Sequence, residues 1–180
     1  MINTKEVLNF WFKECTPNMW FKKNSDFDNL IKNRFSKIVQ LSMNTSFDSI
    51  PVSIESYLSH IILLDQFTRN IYRNNYKSFT GDEKALKISK NSISNNFIIQ
   101  SNSYYNSFFL MPLMHSENIL DHEFGMPFFK EYTSENTYKS AIKHKNIIEK
   151  FGQFPHRNEI LNRISTNEEN QFLKLPGSRF

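Results

Sequence analysis

The chain has 180 residues and a net charge of +4, from 22 Lys and Arg against 18 Asp and Glu, and 39% of its residues are hydrophobic. That is enough apolar chain for a single domain over residues 1–180, and its mild positive excess is spread out, without the basic stripe that a nucleic-acid partner would need. The lone cysteine, Cys15, excludes an internal disulfide, and the longest purely aliphatic run, Ile61 to Leu64, is too short to span a bilayer.

Taken in chain order, the periodicity predicts helices almost throughout. Asn3 with Glu6 resembles a capping box, ahead of an apolar face of Val7, Leu8, Trp11 and Phe12. Phe27, Leu30, Ile31, Phe35 and Ile38 continue the helical period, with Ser25 or Asp26 as the expected cap. Ile54, Tyr57, Leu58, Ile61 and Leu64 make a third helix. Thr80, Gly81, Asp82 and Glu83 then read as a capping box before Ala85, Leu86, Ile88 and Ile93.

A segment from about Ser103 should kink or break at Pro112, which lacks the backbone donor a helix interior needs. Another helix is expected from Leu113 to Tyr132, weakened late by Gly125 and Pro127. Ser134 caps the next, which carries Tyr138, Ala141, His144, Ile148 and Phe151 on one face and ends at Gly152. Pro155 should open a short helix through Ile164, and Thr166 with Glu169 makes a last capping box. With four glycines and no alternating strand pattern, the expected class is all-α. The helices, seven to nine of them, should stack in antiparallel pairs.

Three polar knots stand out. In the first, Asp65, Gln66, Arg69 and Asn70 follow an apolar helix. Asp65 and Arg69 share a face and Arg73 extends it. This is either an intrahelical ion pair or a held guanidinium fork presented to a carboxylate or phosphate. In the second, His115, Ser116 and Glu117 precede His122, seven residues beyond His115. The spacing is not that of a metalloprotease helix, and Ser116 lacks a glycine-flanked elbow, so neither a metal nor a serine nucleophile is assigned.

The third knot joins His144 to the stretch Gln153 to Asn158, where His156, Arg157 and Asn158 sit at an expected helix start that would favour an anion. The bland reading of this knot is a set of braces between stacked helices. Trp11, Phe12, Trp20 and Phe21 read as core, with stacking on a ligand as the lesser role and Trp20 as its candidate.

The stretches VLNFWF, MWFKKNSDFDNLI, HIILLDQFTRNIYR, PLMHSENILDHE, HKNIIEKFGQFPHRNEILNRISTNEENQFL and PGSRF resemble, in order and over nearly the whole chain, a bacterial domain-of-unknown-function family numbered 924. The resemblance implies an all-helical fold similar to tetratricopeptide-repeat superhelices, and it implies no reaction. Trp20, Phe21, Asp65, Gln66, Arg69, Asn70, His115, Ser116, Glu117, His144 and Phe154 through Asn158 fall on its motifs. The chain departs from the family at Thr68, where proline is usual, at Gln153, where arginine is usual, and at His122, where glutamine is usual.

Together these features predict a cytoplasmic protein with no membrane or nucleic-acid partner, lacking the small-residue cleavage site of a signal peptide. A polar site is expected where the knots converge. Asp65, Gln66, Arg69, Asn70, Arg157, Asn158 and Trp20 would bind a small anionic molecule or a carboxylate-bearing peptide. His115, His144 and His156 would move protons, with Glu117 and Asp65 orienting them. No glycine-rich nucleotide loop is present, so any chemistry would be cofactor-free hydrolysis or proton transfer. The rival expectation is a non-catalytic module that binds a peptide or protein partner.

Overall fold

The computed structural model describes residues 2–179. Met1 and Phe180, the last residue of the PGSRF stretch, lie outside the described residues. The chain is all-α. Counting each uninterrupted helical run once, the described residues form ten helices, one more than the top of the expected range, because short runs at 17–21 and 97–100 stand as helices of their own.

Helix α1 covers residues 4–14 and turns π-helical at Phe10–Glu14. Then come α2 (Pro17–Phe21), α3 (Ser25–Asn44) and α4 (residues 54–71), which widens to a π-helix at Ile62–Phe67. They are followed by α5 (Asp82–Ser94), α6 (Phe97–Gln100), α7 (Ser103–His115), α8 (Ile119–Tyr132), α9 (Glu135–Phe151) and α10 (Asn167–Phe172). No helix among the described residues is long and apolar enough to cross a membrane.

Local chemistry sets most boundaries. The Asn3 side chain accepts from the Glu6 amide at 3.2 Å, and Ser134 accepts from the Thr137 amide at 3.2 Å. Thr166 and Glu169 cap α10 reciprocally, and Gly152 ends α9 in the left-handed region at φ 70°.

The cap of α3 is Asn24, which accepts from both Asp26 and Phe27, and not Ser25 or Asp26. Thr80 does not cap α5. Its hydroxyl donates back to the Lys77 carbonyl, and the cap position is Gly81, with no side-chain bond.

Pro112 does not break the chain into two helices there. Helix α7 runs through it to His115, and Phe108 to Met114 are all buried, so tertiary packing outweighs one lost donor near the last turn. The next helix therefore starts at Ile119, not Leu113, and it runs uninterrupted through Gly125 and Pro127. The expected helix from Pro155 to Ile164 shrinks to one 3-10 turn, Pro155–Arg157; beyond it the backbone closes irregular turns, Leu161 N–H to the Arg157 carbonyl and Arg163 N–H to the Asn158 carbonyl, and Asn162 takes a positive φ of 54°.

Helix α4 lies at the centre. Every residue from Ser56 to Thr68 is buried, so it is covered on all sides, and it carries the polar side chains of Ser56, Ser59, His60, Asp65 and Gln66 into the interior along with its apolar ones. Helices α1, α3, α5 and α7 pack around it, and successive neighbours α7, α8 and α9 continue the stack. Phe10, Trp11, Phe35, Phe67 and Phe108 fill the middle with tilted and edge-on ring contacts. A second, smaller apolar cluster of Ile147, Ile148 and Phe154 closes the end where the chain leaves α9. The polar knots meet between these two cores.

Candidate functional site

The site grows from the widened turn of α4. A π-turn inserts an extra residue into the helical ladder and frees backbone carbonyls, and such turns recur at functional sites. This one carries Asp65 and Gln66. The Asp65 carboxylate is fully buried. Its Oδ1 accepts from His115 Nδ1 at 2.7 Å and faces Arg69 Nη2 at 3.4 Å, and its Oδ2 accepts from Gln66 Nε2 at 2.5 Å. Gln66 also reaches the Met111 sulfur at 3.1 Å.

Arg69 donates a fork to Asp82, at 2.9 and 3.0 Å, and also bonds the Asp65 main-chain carbonyl at 2.8 Å. Arg157 joins from the far end of the chain. It donates to the His115 carbonyl at 3.0 Å, lies 3.7 Å from Asp82, and stacks over the rings of Phe79 and Phe154 at 4.8 and 4.5 Å. Arg69, His115 and Arg157 therefore share one network. Its outer edge is formed by His115, Arg69 and Asp82, with side chains 17%, 22% and 25% exposed.

The remaining knot residues brace this edge. Glu117 does not orient a histidine as expected. It accepts a fork from Arg163, at 2.7 and 3.0 Å, and the Phe154 amide at 2.8 Å. The anion held by the turn at 154–157 is thus the chain's own carboxylate. His144 Nδ1 donates to the Ser140 carbonyl at 2.8 Å, and its ring lies 6.2 Å from that of His115. His156 packs 5.7 Å from the Phe154 ring. Asn158 donates to Ser165 at 3.0 Å, tying down the loop that follows. Gln153, in the place where the resembled family has arginine, donates to Glu169 at 2.7 Å.

The electrostatics separate the histidines. Burial pushes His144 and His156 down to about 3, with neighbouring cations adding to the effect, so both imidazoles are neutral and neither donates a proton as an acid near neutral pH. His122 is lowered for the same first reason, and its Nε2 donates to the Ser116 carbonyl at 2.8 Å.

Burial works to raise Asp65, but Arg69, His115 and their hydrogen bonds outweigh it and hold the carboxyl well below its usual range. Burial and the adjacent Arg69 lower the Arg157 guanidinium to about 10, against Asp82, Glu117 and Asp65, which favour its charge.

Some expected members stand apart. Asn70 donates to Asp28 at 2.8 Å, beside the Arg73 fork on the same carboxylate, so Arg73 leaves the Asp65–Arg69 line. Trp20 packs against Trp11 and Phe108, with its indole N–H on the Trp11 carbonyl, and makes no contact with the network. The Ser116 hydroxyl donates to Asp121 at 2.5 Å and accepts from the Asn118 amide, so its partners are not the histidine a nucleophile needs. Among the described residues no group of three or more His, Cys, Asp or Glu is arranged to hold a metal.

Three members escaped the sequence reading: Asp82, Phe79 and Arg163. Asp82 had the one available signal, an acid in the first turn of a helix, and that signal pointed only to the helix dipole.

A family model described as bacterial protein of unknown function (DUF924) matches residues 7–177. The fold is similar to that of the protein of unknown function ATU0120 from Agrobacterium tumefaciens, with a TM-score of 0.89 at 30% identity over 95% of this chain and 96% of that one. The search of curated proteins gives no match.

Proposed function

The chain belongs to the bacterial DUF924 family, and we propose that it binds a small anionic molecule or a peptide carboxylate at the edge around His115 and transfers a proton there. The observation that carries this reading is the Asp65–His115 pair. The buried carboxylate accepts a hydrogen bond from His115 Nδ1–H at 2.7 Å, which favours the tautomer whose Nε2 lone pair points away from Asp65 as the acceptor. Among the described residues no hydrogen bond engages Nε2, and the ring is 17% exposed. Arg157 steadies the same residue from behind through the His115 carbonyl. Arg69 and Arg157 both face Asp82, the carboxylate between them that an incoming anion would mimic and displace. His115 is the base in this reading, Asp65 and Arg157 position it, and no cofactor is required.

The rival reading is a non-catalytic peptide-binding module of tetratricopeptide-like type. It is favoured by one observation: both outer nitrogens of Arg69 are already taken by Asp82.

The two readings separate in one experiment. The imidazole nitrogens of 15N-labelled protein are followed during titration with inorganic phosphate and with N-acetylglycine, and turnover of p-nitrophenyl acetate and p-nitrophenyl phosphate is assayed beside it. The expected result is a saturable shift of the His115 Nε2 signal, and turnover that falls about a hundredfold or more in His115→Gln while the fold is kept. Binding without turnover would leave the module reading. An unmoved His115 signal with every probe would overturn the site.

A further inference from the structure

A second surface lies at the start of α7, at the opposite end of that helix from His115. Trp20 sits half-buried at the end of α2. Phe21 and Tyr104 meet it edge-on, at 6.2 and 6.1 Å between ring centroids, and protrude with 68% and 58% of their surface exposed. Two projecting rings thus pack edge-on against a half-buried indole that is itself anchored, because its N–H is held by the Trp11 carbonyl at 2.9 Å. An anchored indole with projecting rings at its edge offers a rigid aromatic surface for one apolar side chain, and Trp and Tyr are among the residues that dominate binding energy at interfaces.

The rim decides what else the partner carries. Lys22 and Lys23 follow Phe21 directly, and Lys13 follows Phe12, whose ring touches Trp20 at 5.8 Å. All three lysines are exposed, and none makes an ion pair with a described residue. Of the nearby acids, Glu14 is neutralised by Arg34 at 2.6 Å, which leaves Asp26 against three cations.

We infer that this corner is a docking site for an acidic peptide segment bearing an aromatic or aliphatic anchor. The anchor seats on Trp20 between Phe21 and Tyr104, and flanking carboxylates meet Lys13, Lys22 and Lys23. A cationic ligand, which an aromatic cradle alone would attract, is repelled by this rim.

The test is selection from a displayed library of random dodecapeptides on the intact protein, counter-selected on Phe21→Ser/Tyr104→Ser. Both positions are exposed, so the variant should keep the wild-type thermal midpoint. Peptides dependent on the two rings should be enriched in Asp and Glu around one aromatic or leucine. Their affinity should drop about tenfold in Lys22→Glu/Lys23→Glu and should weaken with added salt. Dependent peptides that are neutral or basic, or no dependent peptides at all, would overturn the inference. Sedimentation with phosphatidylglycerol vesicles that is lost in the Phe21/Tyr104 variant would overturn it in favour of a lipid surface.

Discussion

At the scale of single residues, steric fit and hydrogen bonding decide which groups a neighbour can replace. Gly81 shows the first. A Cβ built there would stand 2.3 Å from the Leu64 carbonyl oxygen, and that oxygen already accepts the Thr68 hydroxyl at 2.7 Å. The turn before α5 thus rests on the backbone of α4 at the π-turn. Gly81→Ala should force the two apart and destabilise the fold by about 1–3 kcal/mol, which a thermal or urea melt would read as a drop of several degrees. A midpoint unchanged from wild type would mean the turn yields freely. Because Asp82 is the next residue, the same displacement should loosen the Arg69 fork. Asp65 paired with Arg69 was legible from four-residue spacing, and the structure bears that pairing out. The partnership of Arg69 with Asp82 was not legible, since those residues lie on different helices and only the approach at Gly81 brings them together.

At the scale of elements, helix ends carry the information. Helix α3 ends beneath α5, where the Lys84 ammonium donates to the carbonyls of Ser42 at 3.1 Å, Met43 and Thr45 at 2.8 Å. A cation at a helix C-terminus satisfies carbonyls that have no intrahelical donor and complements the dipole. Lys84→Met keeps the stem and removes the charge, so it should cost about 1–2 kcal/mol and speed amide exchange in the turn after α3. Global loss of stability with unchanged exchange there would show that the contact is not a cap. The caps Asn3, Ser134, Gly152 and the Thr166–Glu169 box were readable because each involves residues within a few positions of one another. Pro112 was misread for the complementary reason: a proline's local cost is visible in sequence, and the packing of α7 that offsets it is not.

At the scale of the whole molecule, the buried titratable groups set a pH response. His144 and His156 titrate at about 3 in the folded chain and near 6.5 when unfolded, so the unfolded chain takes up their protons first. The stability they permit is complete above about pH 6.5 and declines as pH falls toward 3. The limiting slope is about 1.4 kcal/mol per proton per pH unit. Asp65 and Glu117, both held below the usual carboxylate range, add to the loss at more acid pH, in the same direction. Urea unfolding at pH 7.5, 6.5 and 5.5 should show the decline beginning above the carboxylate range, with a shallower slope in His144→Gln. Stability that stays flat from pH 7 to 5.5 would contradict the burial of these rings.

What the sequence determined by itself was whatever depends on neighbours along the chain: the all-α class, the apolar faces, most caps, the Asp65–Arg69 pair and the concentration of histidine and arginine in three knots. Only the tertiary structure decided that the knots meet, that Glu117 serves Arg163 and the turn at 154–157, that Trp20 faces elsewhere, and that His115 keeps one nitrogen at the surface while His144 and His156 are buried neutral. The physical reason is that hydrogen bonds and burial between helices depend on distances set by the packing of the whole chain. Residues 65, 82, 115 and 157 become neighbours only after α4, α5, α7 and the turn beyond α9 have closed around the two cores.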